Sequence, residues 1–162
     1  MPTIQVFTPA EISSFRKAGE ILSSCLRHIS SEAVRGITTI ALDEMAEAFI
    51  RERGGEPAFK GYSGYRHTLC TSVNDECVHG IPTAYALKDG DIVSLDCGVI
   101  LQGWIGNTAG PFTVGEISPR AERLLRITRE ALFLGIEQAK VGNRIGDISY
   151  AIQHHVETHG YS

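Results

Sequence analysis

Two oxygen-bearing side chains, Asp96 and Asn107, lie on neighbouring predicted strands, where they could share a metal ion. Asp96 interrupts the apolar run Val93–Gly98, and a carboxylate is costly to bury without a partner. If Gln102-Gly103 forms a two-residue hairpin loop, residue 96 faces residue 109, and Asn107 lies two positions away on the same sheet face. Two oxygen ligands there could bind one cation. Spacing alone favours the alternative, in which Asp96 caps a backbone group or forms a salt bridge locally and Asn107 belongs to a β-bulge beside Gly106.

A third candidate for chemistry is His79, within Val78–Pro82. A lone histidine more often has a structural role than a catalytic one. Here Gly80 and Pro82 restrict the backbone on either side, which favours a fixed, functional position. Four other histidines lack such a context, and we interpret them as surface or helix-face residues: His67, His154, His155 and His159.

Aromatic and sulfur-bearing side chains near these candidates predict an apolar pocket. Its candidate lining residues are Phe59, Tyr62, Tyr65, Cys70 and Trp104. The alternative is that these side chains belong to the ordinary core.

The elements that position these residues follow the order helix, helix, strands, helix, helix. Thr8, Pro9 and Glu11 form a capping box that predicts the start of the first helix. A second helix begins at Thr38 or Thr39, and Gly54-Gly55 ends it. The remaining predicted elements are strands over Thr68–Val73, Ile92–Leu101 and Trp104–Val114, and helices over Pro119–Lys140 and Ile145–His159. The order predicts an α+β fold with an antiparallel sheet covered by helices.

The composition is typical of a globular domain and excludes some functions. The chain has 162 residues, of which 43% are hydrophobic, and a net charge of −4. This charge argues against a nucleic-acid or membrane surface, which requires a basic face. The four cysteines lack Cys-x-x-Cys spacing and are interpreted as free thiols in the cytoplasm, with a Cys70–Cys77 disulfide as the less favoured alternative.

A long helix, a glycine and a shorter helix occur twice, around Gly36 and again around Gly142. If the whole helix-and-sheet unit is duplicated, further strands are expected after Ser162.

Extended motifs resemble type I bacterial methionine aminopeptidases of metallopeptidase family M24. They are Gly61–Tyr65, Thr71–Pro82, Leu87–Asp96 and Val141–Ile148. The resemblance implies half of a pita-bread fold plus two helices of the other half, in a single truncated domain over residues 1–162. In the intact family, two pseudo-symmetric halves enclose a pair of divalent metal ions (Co, Mn, Fe or Zn). The family removes an N-terminal methionine from proteins when the next residue is small.

The resemblance also implies roles for individual residues. Asp96 matches the first metal-ligand aspartate, and His79 matches the histidine that contacts substrate and assists proton transfer. The methionine pocket is implied at Phe59, Tyr62, Tyr65 and Cys70, although the family often has cysteine where Phe59 stands. Asn107 stands where the family has its second ligand aspartate, so this metal position is vestigial. The remaining family ligands lie beyond Ser162.

These departures imply a fragment or variant of a methionine aminopeptidase that is inactive as an isolated chain and holds no cofactor by itself. The alternatives are a catalytically silent pita-bread protein that binds peptides or proteins, and an engineered chain designed only to fold. The predicted partners are peptide N-termini, a second copy of the chain in a homodimer, or a missing C-terminal half. Neither nucleic acid nor membrane is expected as a partner.

Overall fold

The computed structural model describes residues 5–162. The chain divides into two compact units, the first ending at Glu116 and the second running over Ile117–Ser162. The first contains α1 (Pro9–Glu32), α2 (Thr39–Glu52), β1 (Glu56–Pro57), β2 (Leu69–Val73), β3 (Ile92–Leu101) and β4 (Trp104–Thr113); the second contains α3 (Pro119–Gln138) and α4 (Ile145–Thr158). The α+β prediction is confirmed. The short strand β1 was not predicted, and the prediction of a single domain stays a prediction.

The sheet is antiparallel, with β3 at its centre. β1 and β2 pair with one side of β3, and β4 pairs with the other. Gln102 and Gly103 form the predicted two-residue loop, with φ values of 50° and 83°, so both occupy the left-handed region that such hairpin turns require. Because this loop sets the register, Leu101 pairs with Trp104 and Asp96 with Ala109.

Helix α1 begins as predicted. The Thr8 side chain accepts a hydrogen bond from the Glu11 backbone, and the Glu11 carboxylate accepts one from the Thr8 backbone. Thr38 caps α2 in the same way by accepting from the Ala41 N–H. These bonds satisfy backbone donors that the first turn of a helix leaves without partners.

The core lies between one face of the sheet and the helices α1 and α2. Alternate residues of β3 are fully buried in it, namely Val93, Leu95, Cys97 and Val99. Because successive side chains of a strand point to opposite faces, Asp96 lies on the other face. Because the apolar residues of β3 are buried against the helices, Asp96 must lie on the sheet face opposite the core.

In the second unit, α3 and α4 form a helical hairpin. Gly135 allows a close approach, because a Cβ there would lie 2.8 Å from two side-chain carbons of Ile152. The predicted repetition of the helix pair is visible in the backbone. Ala33 and Ala139 end their long helices with nearly identical ψ values of 64° and 63°.

Among residues 5–162, no helix is both long enough and apolar enough to cross a membrane. Cys25, Cys70, Cys77 and Cys97 are all free thiols, so the preferred interpretation of the cysteines as unpaired is confirmed.

Candidate functional site

Asp96 and Asn107 meet on the open face of the sheet. The Asn107 side-chain amide donates a hydrogen bond to Oδ1 of Asp96 at 3.1 Å. Asn107 pairs with Gly98, and Ala109, two residues further along β4, pairs with Asp96. The register continues without interruption from Ile92 to Leu101. The predicted diagonal arrangement is therefore observed, and the alternative of a β-bulge at Asn107 is wrong. Asp96 is thus partnered by the Asn107 amide, through a hydrogen bond that is neither a cap nor a salt bridge.

His79 lies beside this pair in a loop with a constrained backbone. Its φ of 60° lies in the left-handed region, where residues other than glycine are uncommon and often functional. The next residue locks the loop onto β2: the Gly80 carbonyl accepts from Thr71 N–H at 2.8 Å, and Gly80 N–H donates to the Ser72 hydroxyl at 3.1 Å. The backbone around His79 is thus held from one side by a strand.

A pocket of about 670 Å³ connects these residues to the predicted aromatic set. Its lining residues are Phe59, Tyr62, Ser63, Gly64, Tyr65, Cys70, His79, Ile81, Asp96 and Asn107. Phe59, Tyr62, Tyr65 and Cys70 therefore do come together with the three polar candidates. Trp104 is not part of this lining; it packs against Phe7 and Phe15, with ring centroids 5.8 Å and 4.6 Å away.

Gly98 makes room for the aromatic wall of the pocket. A Cβ at Gly98 would lie 2.8 Å from a ring carbon of Phe59 and 2.9 Å from the Ala58 side chain. The Gly98 carbonyl also accepts from the Ala58 N–H at 2.9 Å. The segment carrying Phe59 is therefore held flat against β3.

Tyr65 and Cys70 are neighbours in the lining of the pocket. The Tyr65 hydroxyl donates to the Leu69 carbonyl at 2.7 Å. Burial, and then the neighbouring Cys70 thiol, raise the pKa of the Tyr65 hydroxyl. Burial, together with the negative charges of Asp96 and Asp43, raises the pKa of the Cys70 thiol. The hydrogen bond with Tyr65 lowers this pKa, but it offsets only part of the increase. Both groups are therefore neutral at pH 7 and suit an apolar ligand.

Native Cys70 is expected to react slowly with iodoacetamide at pH 8. A raised pKa lowers the fraction of thiolate, which is the reactive form, and Cys70 is buried whereas Cys77 is exposed. Mass spectrometry over time should show alkylation of Cys70 at least about tenfold slower than that of Cys77. The difference should vanish in denaturant, and equal rates in the native chain would contradict the assignment.

A buried carboxylate that the sequence did not single out holds the backbone just before Cys70. Asp43 of α2 is only 4% exposed. Its Oδ1 accepts from the backbone N–H groups of Thr68 and Leu69, both at 2.7 Å, and Oδ2 lies 3.2 Å from Nδ1 of His67. His67 is therefore a contact of this carboxylate, in contrast to its interpretation as a simple surface residue.

Comparison with known proteins assigns the family. A model described as metallopeptidase family M24 matches residues 13–162, so the chain belongs to this family. The methionine aminopeptidase of Clostridium perfringens is 51% identical over 94% of this chain and 61% of its own length. Methionine aminopeptidase 1 of Bacillus subtilis is 44% identical over 96% of this chain and 62% of its own length.

A solved structure supports the same relationship. The crystal structure of methionine aminopeptidase from Rickettsia prowazekii superposes with a TM-score of 0.97 at 37% identity, covering 99% of this chain and 64% of that chain. The resemblance to methionine aminopeptidases and the pita-bread fold are confirmed. The chain spans about 61% of the length of the Clostridium relative.

The family uses divalent metal ions, but Asp96 and Asn107 do not fit a metal pair by themselves. A carboxylate presents two charged oxygens, whereas an amide presents one neutral oxygen and a donor that repels a cation. Here that donor already points at Asp96. Among residues 5–162, Asp96 belongs to no cluster of three or more His, Cys, Asp or Glu ligands.

Proposed function

We propose that the pocket binds the side chain of an N-terminal methionine, and that the 162-residue chain does not cleave the peptide bond after that methionine. The observation that carries the proposal is that aromatic and sulfur-bearing side chains line the same pocket as His79, Asp96 and Asn107. A thioether makes favourable contacts with aromatic rings. Ligand pockets typically combine such apolar walls with a few placed polar groups.

His79 is the proposed catalytic residue of the intact site. Its left-handed backbone and its place in the pocket lining support contact with the peptide N-terminus. An imidazole at this position is suited to hold or move a proton on the substrate.

Asn107 is the reason why turnover is not expected. The cations that the family uses need charged oxygens to fix them, and the amide supplies a donor in place of one carboxylate. The specific metals (Co, Mn, Fe or Zn) are proposed only for an intact site. A homodimer, a C-terminal half that completes the site and a cytoplasmic location also stay predictions.

The peptide Met-Ala-Ser should bind the 162-residue chain without release of methionine. Nuclear magnetic resonance titration should show shifts for the pocket residues, and chromatography should detect no free methionine. Ser-Ala-Ser is the matched control peptide and should bind more weakly, because it lacks the thioether that fills the pocket.

Two variants make this test specific. Tyr65→Ala should weaken binding of Met-Ala-Ser, whereas Tyr150→Ala, which removes an exposed ring in the other unit, should not. Equal binding of the two peptides would overturn the pocket assignment. Turnover that survives repurification and disappears in His79→Ala would show that the chain is active after all.

The catalytically silent peptide binder remains the second candidate, because Asn107 replaces a ligand. Asn107→Asp tests whether the Asp96–Asn107 pair derives from a metal site. A gain of Mn²⁺ binding in this variant would support descent from a metal site that one substitution has weakened.

A further inference from the structure

Three metal-ligating side chains converge in the second unit. They are Glu130 of α3 and His155 and His159 at the end of α4, and their ligand atoms all lie within 4.8 Å of one another. All three residues are half-buried. The interpretation of His155 and His159 as plain surface or helix-face residues is therefore incomplete.

The local sequence explains why the two histidines meet. His155 lies in the last turn of α4, and His159, four residues later, caps the end of this helix. Residues at this spacing lie on the same helix face. Their ring centroids are 4.4 Å apart. This His-x₃-His arrangement on a helix is a recurrent way of presenting two imidazoles to one metal ion.

The packing of the helical hairpin adds the third ligand. The close approach at Gly135, where a Cβ would collide with Ile152, brings α3 against α4. Oε2 of Glu130 then lies 3.0 Å from Nε2 of His155. Ligand atoms of a tetrahedral zinc site are about 3.3 Å apart, given metal–ligand bonds of about 2.0–2.1 Å. This contact is already close to that spacing.

Hydrogen bonds from Arg126 and to the His155 carbonyl orient two of the ligands, Glu130 and His159. Nη1 of Arg126 donates to Oε1 of Glu130 at 2.8 Å, which leaves Oε2 directed at His155. Nδ1 of His159 bonds to the carbonyl of His155 at 2.8 Å. A ring nitrogen that donates to a backbone carbonyl leaves the other nitrogen as an electron-pair donor, the usual arrangement behind a metal-binding histidine.

We propose that Glu130, His155 and His159 bind one divalent cation of the zinc class, with a fourth position left for water. The ligands are Oε2 of Glu130, Nε2 of His155 and the ring nitrogen of His159 that the carbonyl leaves free. The cation takes the place of the 3.0 Å contact between Oε2 of Glu130 and Nε2 of His155. Two imidazoles and one carboxylate suit zinc better than magnesium or calcium, which prefer all-oxygen sites. The bound ion links α3 to α4.

The competing explanation is a simple ion pair between Glu130 and His155. An ion pair needs no contribution from His159. The two explanations therefore differ in their requirement for the second imidazole, and this difference can be measured.

Zinc titration of the 162-residue chain, by calorimetry and by equilibrium dialysis, tests the site. One Zn²⁺ per chain is expected. His155→Ala and His159→Ala should each weaken binding by at least about tenfold, the lower range found when groups that support a metal site are removed. His154→Ala is the matched control, since His154 is exposed and stacks on Tyr150 outside the cluster. Glu130→Gln keeps the side-chain shape and should also weaken binding.

A second measurement does not depend on affinity alone. Binding to the folded state alone raises stability, so Zn²⁺ should raise the thermal midpoint of the wild-type chain and of His154→Ala but not of His159→Ala. Absence of zinc binding, or binding unchanged in both His155→Ala and His159→Ala, overturns the proposal. Binding lost in Asp96→Asn but kept in His155→Ala would place the cation at the sheet instead. Peptide binding by the pocket is a separate readout, so failure of one proposal leaves the other standing.

Discussion

Replacement of Asp43 by alanine is expected to destabilise the chain by about 3 kcal/mol. The side chain is buried, and its Oδ1 accepts from the N–H groups of Thr68 and Leu69. Its loss leaves two buried donors without partners, at a cost of about 1–3 kcal/mol each. Urea denaturation followed by circular dichroism measures the change in the free energy of unfolding.

Asp43→Asn is the matched control, because both backbone bonds go to one oxygen. An amide oxygen can keep them while the charge and the contact with His67 are lost. We expect a smaller loss, about 1 kcal/mol, the usual net value of one hydrogen bond. Equal losses in the two variants would show that the charge, and not the pair of N–H groups, carries the effect.

The loss of the Asp43 carboxylate is also expected to change the pocket, because Asp43 is linked to the pocket through Leu69 and Cys70. Asp43 fixes the first residues of β2, and the Tyr65 hydroxyl bonds to the Leu69 carbonyl. The next residue is Cys70, which lines the pocket. Stability of the α2–β2 contact and the shape of the pocket are therefore coupled.

Local chemistry explains why the main elements could be predicted from the sequence. Thr8, Pro9 and Glu11 cap α1 through contacts within four residues, and Gln102-Gly103 sets the hairpin register by itself. The diagonal placement of Asp96 and Asn107 follows from that register. These predictions needed no knowledge of distant contacts.

The parts that could not be predicted depend on distant contacts. Asp43 meets Thr68 and Leu69 across 25 and 26 residues, and nothing in its neighbourhood marks it as a buried acceptor. Glu130 meets His155 across 25 residues, although the spacing of His155 and His159 was a signal that could have identified the cluster. The two-residue strand β1 is also too short to give a periodic pattern.

Gly80→Ala is expected to displace His79 and to weaken binding of Met-Ala-Ser by at least about tenfold, equivalent to about 1.4 kcal/mol. A Cβ at Gly80 would lie 2.4 Å from the Thr71 carbonyl oxygen and 2.8 Å from the Ser72 Cα. Both are backbone atoms of β2, which cannot rotate away as a side chain does. The loop must therefore leave the strand and lose the bonds to Thr71 and Ser72. Peptide titration and the histidine ring resonances report the two effects.

Gly19→Ala provides the matched control for adding a methyl group to a glycine. No heavy atom outside the helix backbone lies within 4 Å of a Cβ at Gly19, and alanine favours a helix over glycine by about 0.8–1.0 kcal/mol. This variant should be as stable as the wild-type chain or more so, with unchanged peptide binding. If Gly80→Ala bound Met-Ala-Ser as tightly as Gly19→Ala does, the position of His79 would not depend on the contact with β2. The proposed role of His79 at the peptide N-terminus would then need a different structural basis, because the strand would no longer be what holds the imidazole at the pocket.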